Sequence, residues 1–345
     1  MRAITKRQQQ ILDIIRRNPG IAAGDIATKL GDVTKVTILR DLKALLGEGL
    51  IAKEGAARSV RYSAVLASPV LEYFDETAYF ADDVDKRKIR HAVFNFDLFG
   101  QLHDLFAAAE MADIEALNRT YRDKAAKLSP TLLKKEMERL TIELSWKSSQ
   151  IEGNTYTLLD TEMLIREHVE ARGHRREEAT MILNHKRALD YVREYKDDYR
   201  RLTVGKIEDL HAMLVEGLGV GRGLRAHAVG IVGTNYRPLD NRHQIRDAMD
   251  ELVQLIGTTE HPFVRAFIAV LMIAYIQPFE DGNKRTSRIL ANALLLAGDY
   301  CPISYRSVDE VEYKKAVVLF YEQNSAEYFK RLFIEQFRQA VTGYF

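Results

Sequence analysis

Gln277-Pro278-Phe279-Glu280-Asp281-Gly282-Asn283-Lys284-Arg285-Thr286-Ser287-Arg288 follows the most apolar stretch of the chain, Val264–Ile276, whose single charge is Arg265. A helix apolar nearly all round belongs in the middle of a bundle, and Pro278 cannot continue it. Asp281-Gly282-Asn283 reads as a turn in which Gly282 lets the backbone approach a ligand closely. Asn283 reads as the N-cap of the apolar helix Ile289–Ala297. Free N–H groups at a helix start attract anions. Arg285 and Arg288, three residues apart on that first turn, both point toward the same anion. Asp281 adds a hard oxygen ligand suited to a hydrated Mg2+ on a phosphate. A nucleotide di- or triphosphate fits this combination, and a capped surface turn with two arginines would carry the same residue types.

Around this stretch helical periodicity dominates from Ser129 onward. Leu133, Met137, Leu140 and Leu144 share one stripe, Ala188, Tyr191 and Val192 belong to a second helix, and Leu210, Met213 and Leu214 to a third. No run suggests a large sheet. The chain has 345 residues, 29% charged and 46% hydrophobic, which excludes disorder throughout and predicts more than one domain. The apolar run Phe267–Ile276 is ten residues. A bilayer span needs about 20, so no membrane anchor is expected. Gln8, Gln9, Gln10 and Asp13 interrupt any secretory layout at the start. The single cysteine, Cys301, allows no disulfide framework, and a reducing cytoplasm is the expected location.

The formal net charge of +1 hides a division. Twelve Lys and Arg against six Asp and Glu give residues 1–64 a charge of +6, and the remaining 38 basic and 43 acidic residues give −5. Within the basic part, Ile11, Leu12, Ile14 and Ile15 predict a helix over Lys6–Asn18, stopped by Asn18-Pro19-Gly20. A second helix is predicted over Ala23–Leu30. A third spans Thr34–Gly47, with Val36, Leu39, Leu42, Ala44 and Leu45 mostly inward. Extended segments Leu50–Lys53 and Ser59–Ala64 follow. Three helices and a hairpin resemble a winged helix-turn-helix, and Lys35-Val36-Thr37-Ile38-Leu39-Arg40-Asp41-Leu42 is similar to the recognition helix of bacterial repressors of that type. Thr34, Lys35, Thr37 and Arg40 would face the major groove of double-stranded DNA. Arg58 and Arg61 in the wing would hold phosphates or enter the minor groove. Residues 65–110 read as a linker or docking segment, with Phe94, Phe96, Leu98, Phe99, Leu102, Leu105 and Phe106 on the apolar side of a helix.

The loop Gln277–Arg288 resembles the active-site motif of the Fic family, HPFx(D/E)GN(G/K)RxxR, at every fixed position but the first. Ser148-Ser149-Gln150-Ile151-Glu152-Gly153 is similar to that family's inhibitory motif, (S/T)xxxE(G/N). Asn184-His185-Lys186-Arg187-Ala188-Leu189 resembles a following family helix. Gly223-Leu224-Arg225 and Val229–Pro238 resemble the hairpin called the flap. The resemblance covers roughly residues 110–340. The fold it implies is mainly α, a winged helix-turn-helix (1–64) ahead of an all-helical Fic core (111–345) with a short β-hairpin flap.

Fic enzymes mostly transfer AMP from ATP to a Ser, Thr or Tyr hydroxyl of a target protein, and the motif His is the general base. The resemblance implies that Asp281 holds Mg2+. It implies that Phe279, Gly282, Asn283 and Lys284 belong to the ATP cradle, that Arg285 pairs with a phosphate, and that Arg288 meets the γ-phosphate. The flap residues Val232, Gly233, Thr234 and Tyr236 would clamp the target segment as an added strand. Ser148, Glu152 and Gly153 form the inhibitory element, Glu152 pairing with Arg288 to block the productive phosphate pose. Gln277 stands where the His belongs, and an amide cannot accept a proton near neutral pH. His261-Pro262-Phe263 lacks the Gly-Asn-x-Arg continuation and is not a substitute. Lys284 departs from the commoner Gly; Lys occurs there in the Doc branch, which phosphorylates its target, but the rest of that likeness is poor. The favoured expectation is a DNA-binding homodimeric regulator whose ATP/Mg2+ pocket transfers AMP weakly or not at all. The alternative is a self-inhibited protein adenylyltransferase.

Overall fold

Thr5 opens the first helix. Its hydroxyl accepts from Gln8 N at 3.2 Å while the Gln8 side chain accepts from Thr5 N at 2.9 Å, a reciprocal cap for α1 (Lys6–Arg17). The computed structural model describes residues 5–31, 33–56, 59–65 and 68–345. α2 (Ala23–Leu30) and α3 (Lys35–Gly47) follow, then β1 (Ile51–Glu54) and β2 (Arg61–Ala64) pair antiparallel with Ile51 opposite Ala64. Ile11, Leu12, Ile15, Ile26, Ile38, Leu42 and Leu45 close a small core of their own. The register of α3 differs from the expected one: Val36 and Leu39 face solvent, as does Ala44. Ile38, Leu42 and Leu45 already fill the inner face, and Asp41 joins them because Arg7 Nε donates to its carboxylate at 2.6 Å.

Residues 68–106 carry only short helices, including α4 (Glu76–Tyr79) and a 3-10 turn over Phe96–Gln101. The expected amphipathic helix around Phe94–Phe106 is absent, because Leu98, Phe99, Leu102, Leu105 and Phe106 pack individually into the large core of the following helices. That body consists of α5 (Ala108–Lys127), α6 (Pro130–Ile151), α7 (Leu158–Glu167), α8 (Arg176–Glu194), α9 (Val204–Val215), α10 (Arg242–Thr258), α11 (Pro262–Ile276), α12 (Asn283–Ala297), α13 (Glu310–Gln323) and α14 (Glu327–Gly343).

α11 runs through the centre, every residue from Ala266 to Ile276 buried, and packs most extensively on α12. Pro262 fits its first turn, and His261 Nδ1 caps it by accepting from Phe263 N at 3.2 Å. No described helix is long and apolar enough to cross a membrane. The molecule is mainly helical, and among the described residues its two-stranded hairpin is β1–β2. Residues 229–238 form no paired strands. Gly233, at φ +86°, turns the chain there, and Tyr236 dives into the core, so the alternation a strand needs is lost.

Candidate active site

Where α11 stops, Gln277 takes the left-handed conformation (φ 52°, ψ 58°) and Pro278 follows. Residues 278–282 then loop over to α12, whose N-cap is Gly282 at φ +80°. A Cβ at Gly282 would stand 3.1 Å from Val215 Cγ1, so both the conformation and the close approach require glycine. Helix α12 therefore begins at Asn283, one residue before the sequence reading has it, and Asn283 is not the cap. Its side chain serves the loop instead: Oδ1 accepts from Phe279 N at 2.8 Å, and Nδ2 donates to Phe279 O at 2.8 Å and to Gln277 Oε1 at 3.0 Å. Gln277 Nε2 donates to Ala274 O at 2.6 Å, so the amide is bonded at both ends. The Phe279 ring lies fully buried and stacked 3.7 Å from His211, which meets Asp281 O through Nε2 at 2.9 Å. Phe279 thus anchors the loop from below and offers no surface to a ligand. Arg225, buried, donates from Nε to Gln277 O at 2.6 Å and fixes the loop from the other side.

The upper side of the loop lines a cleft of about 360 Å3, within the size range of small-molecule sites. Gln277, Asp281, Gly282, Asn283 and Lys284 form one wall, Glu152 the end, Val229–Val232 the rim, and Tyr313, Val317 and Tyr321 of α13 the opposite wall. Sequence reasoning missed α13. Its signal was legible: Tyr313, Val317 and Tyr321 recur at i, i+4 and i+8 and make one stripe.

Arg288 is completely buried. Its Nε donates to Ser148 Oγ at 2.9 Å, and Nη2 donates to Ser148 O at 3.0 Å and Glu152 Oε1 at 2.7 Å. The guanidinium lies 5.4 Å from the centre of the Tyr313 ring. Ser148 passes the chain on. Its Oγ meets His185 Nε2 at 2.8 Å, and His185 Nδ1 meets Met181 O at 2.8 Å. A carbonyl only accepts, so Nδ1 carries the proton and Nε2 accepts from Ser148. Burial pushes His185 down to about 3, which keeps it neutral as this pattern requires. Burial would raise the Glu152 carboxyl, but Arg288 and Lys284 outweigh it and hold it below the usual carboxylate range. Gly153, at φ +92°, turns the chain away directly after Glu152.

Arg285 is also buried, and its Nη2 donates to Asp281 Oδ2 at 2.8 Å. Both arginines expected to meet phosphate are thus paired with carboxylates of the same chain. Lys284 Nζ lies 3.8 Å from Glu152. The residues fit a Mg-nucleotide on two counts. The Asp281 side chain is two-thirds exposed at the cleft wall, and Arg288 Nη1 is a buried donor with no acceptor among the described residues.

Of the four loop residues expected to meet a target, Val232 and Gly233 are exposed, Thr234 is half-buried and Tyr236 is buried. Arg87 donates to the Gly233 carbonyl at 2.6 Å, Thr234 donates to Glu322 at 2.6 Å, and Tyr236 stacks on Tyr275 inside the core with its hydroxyl on Tyr275 O at 2.9 Å. In the N-terminal module Lys35, Arg40 and Arg61 are exposed and Thr37 is half-buried. Thr34 caps α3 through Thr37 N at 3.4 Å. Arg58 lies outside the described residues.

Residues 201–295 match the sequence model described as the Fic/DOC family. The chain is 26% identical over 195 residues to the protein adenylyltransferase Fic of Nematostella vectensis, covering 52% of this chain and 43% of that protein. It is 30% identical over 164 residues to the protein adenylyltransferase Fic of Drosophila willistoni, covering 46% and 32%. The matches therefore span less than half the length of these relatives. Among solved structures, a Fic domain containing signaling protein from Bacteroides thetaiotaomicron superposes with a TM-score of 0.57 at 21% identity, covering 67% of this chain and 94% of the other. Fic-1 of C. elegans superposes with a TM-score of 0.57 at 17% identity, covering 68% and 71%. These likenesses extend the shared fold well beyond residues 201–295.

Proposed function

We propose, from the premise that this chain carries a Fic/DOC family domain, that it is a self-inhibited protein adenylyltransferase whose base position is filled by Gln277. The observation that carries this reading is the ion pair of Arg288 with Glu152 at the end of the cleft. A buried arginine beside an anion cradle is the strongest phosphate contact the loop has, and a carboxylate from α6 already holds it. Asp281 Oδ2 takes the Arg285 hydrogen bond, and Oδ1 would meet Mg2+. The metal would neutralise phosphate charge and orient the triphosphate. The N–H groups at the start of α12 add their dipole to the same end. Swinging Glu152 aside frees Arg288 to bind an anionic oxygen.

What this chain does poorly is remove the proton from an acceptor hydroxyl. Gln277 Nε2 and Oε1 are both bonded, and an amide takes no proton near neutral pH. Loss of a general base costs about 10²–10⁴ in rate. Labelled ATP is the test. Glu152→Gly should bind ATP more tightly than the parent but label hydroxyls slowly. Glu152→Gly with Gln277→His should raise labelling by about 10²–10⁴. Equal labelling in the two proteins would remove the role given to position 277, and no ATP binding in Glu152→Gly would remove the site.

A second reading, a DNA-binding regulator acting as a homodimer on a two-fold operator, is favoured by one separate observation. Lys35, Arg40 and Arg61 stand exposed on α3 and β2 of a three-helix module with a wing-like hairpin. The two readings are compatible, since a nucleotide that prefers one of two conformations biases DNA affinity.

A further inference from the structure

Glu322 lies in the last turn of the cleft-lining helix α13, and its side chain is completely buried. Three donors converge on its carboxylate: Tyr79 Oη at 2.7 Å, Arg87 Nη2 at 3.1 Å and Thr234 Oγ1 at 2.6 Å. Arg87, itself buried, uses the same Nη2 to donate to Gly233 O at 2.6 Å. Beside this knot, Asn235 Nδ2 donates to Asp85 Oδ1 at 3.1 Å, and Arg237 N donates to Ala92 O at 2.9 Å. Val93 and Arg237 form a parallel bridge. Residues 79–93, which lie outside the matched family stretch, thus run beside residues 233–237 and share one carboxylate with them.

A buried carboxylate is tolerated only when its charge and lone pairs are met, and removing one partner leaves the rest uncompensated. The knot therefore holds as a unit. All of these bonds fall on the second half of the loop. The first half, Val229–Val232, forms the rim of the cleft, with Val232 almost wholly exposed.

We propose that Arg87 and Glu322 are positioning residues: together they clamp residues 233–237 and leave Val229–Val232, at the mouth of the cleft, as the unclamped part of the loop that receives an incoming polypeptide. The proposal rests on reading the cleft as a transferase site for protein hydroxyls. Arg87 and Glu322 touch neither nucleotide nor acceptor and act through the loop. Arg87 takes one lone pair of the Gly233 carbonyl, so an incoming strand would have to share that oxygen with a buried guanidinium or open the clamp.

Hydrogen exchange on the full chain tests this, with ATP·Mg2+ binding by calorimetry in the Glu152→Gly background as the companion measurement. Thr234→Val cuts the loop from Glu322 while leaving the Arg87–Glu322 pair buried, so it remains informative if Arg87→Ala unfolds. Thr234→Val also removes the acceptor of Tyr236 N, Thr234 Oγ1 at 3.1 Å, so the reporter is the Arg237 amide bonded to Ala92 O, whose exchange should rise by about tenfold or more, the scale of one lost hydrogen bond to a charged acceptor. Exchange over 277–288 and the ATP dissociation constant should stay within about twofold of the parent, and Thr234→Ser should restore the parent pattern. Unchanged exchange of the Arg237 amide in Thr234→Val, or a rise spread evenly over the whole body, would overturn the clamp. Absence of ATP binding in every variant would sink the transferase reading instead, and leave the exchange result readable by itself.

Discussion

The cations of the cleft and those of the N-terminal module are treated in opposite ways by the same chain. Arg285 and Arg288 are buried, and each already faces a carboxylate of the protein, Asp281 or Glu152. Lys35, Arg40 and Lys43 on α3 face solvent, and none is in an ion pair among the described residues. A ligand for the first pair must displace an internal partner in a low-dielectric place, where attraction is strong and desolvation severe. A ligand for the second set meets hydrated, screened charges that cost little to approach and contribute little singly. The cleft cations are therefore gated by internal partners, and the cations of the module surface stand open.

Stability measurements on the two sets give the largest expected contrast. Arg288→Ala leaves Glu152 and Ser148 without their donor in a buried place and should cost about 3–5 kcal/mol. Arg40→Ala removes an exposed, unpaired cation and should stay within about 0.5 kcal/mol. Urea unfolding of the full chain checks both. Similar costs would mean that Arg288 is less committed to its internal partners than the contacts say.

What could be read in advance divides along similar lines. The buried helix α11, the stop at Pro278, the glycine turn and the arginine spacing are local, because each is a pattern within a dozen residues. The three N-terminal helices announced themselves the same way, through periodicity and caps. Misreadings arose where a distant partner decides. Phe279 and Tyr236 looked like ligand-facing aromatics but are held by His211 and Tyr275, tens of residues away. Val36 and Leu39 looked like core until Asp41, drawn inward by Arg7, fixed the register of α3. The clamp on residues 233–237 depends on Arg87 meeting Glu322, 235 positions later, and no local pattern could show it.

Acid should separate the two regions next. His185 and His211 belong to the body, both held low by burial, His185 to about 3 and His211 to about 4. Residues 1–64 contain no histidine. Below pH about 6.5 the unfolded chain binds protons that these folded histidines refuse, so stability falls with pH from there toward about 4. Two such groups give a slope of up to ~2.7 kcal/mol per pH unit. Glu152 adds little above the ordinary carboxylate range, because its lowered value makes its own contribution fall only as the pH drops from that range through the lowered one. Trp146, the single tryptophan, reports the body in urea titrations at pH 7, 6 and 5. Burial also holds His91 of the body below its ordinary value, so His211→Asn should reduce the slope without abolishing it, and an unaltered slope would assign the acid sensitivity elsewhere.

Salt provides the finest comparison, because it acts on exposed charges and barely reaches buried ones. If α3 and the β1–β2 hairpin dock on double-stranded DNA, each phosphate neutralised releases counterions, and the logarithm of affinity falls against the logarithm of salt by about 0.9 per contact. Lys35→Ala and Arg40→Ala should each lower that slope by about 1 and weaken binding several-fold on any sequence if they meet phosphate. A contact to a base edge would instead relax preference at one position with less change in slope. ATP binding to Glu152→Gly, measured over the same salt range, should change far less, since its cations sit beneath the loop. An ATP affinity as salt-sensitive as the DNA affinity would erase the distinction between gated and open cations. DNA binding indifferent to Lys35, Arg40 and Arg61 would move the nucleic-acid surface off α3 and the hairpin altogether.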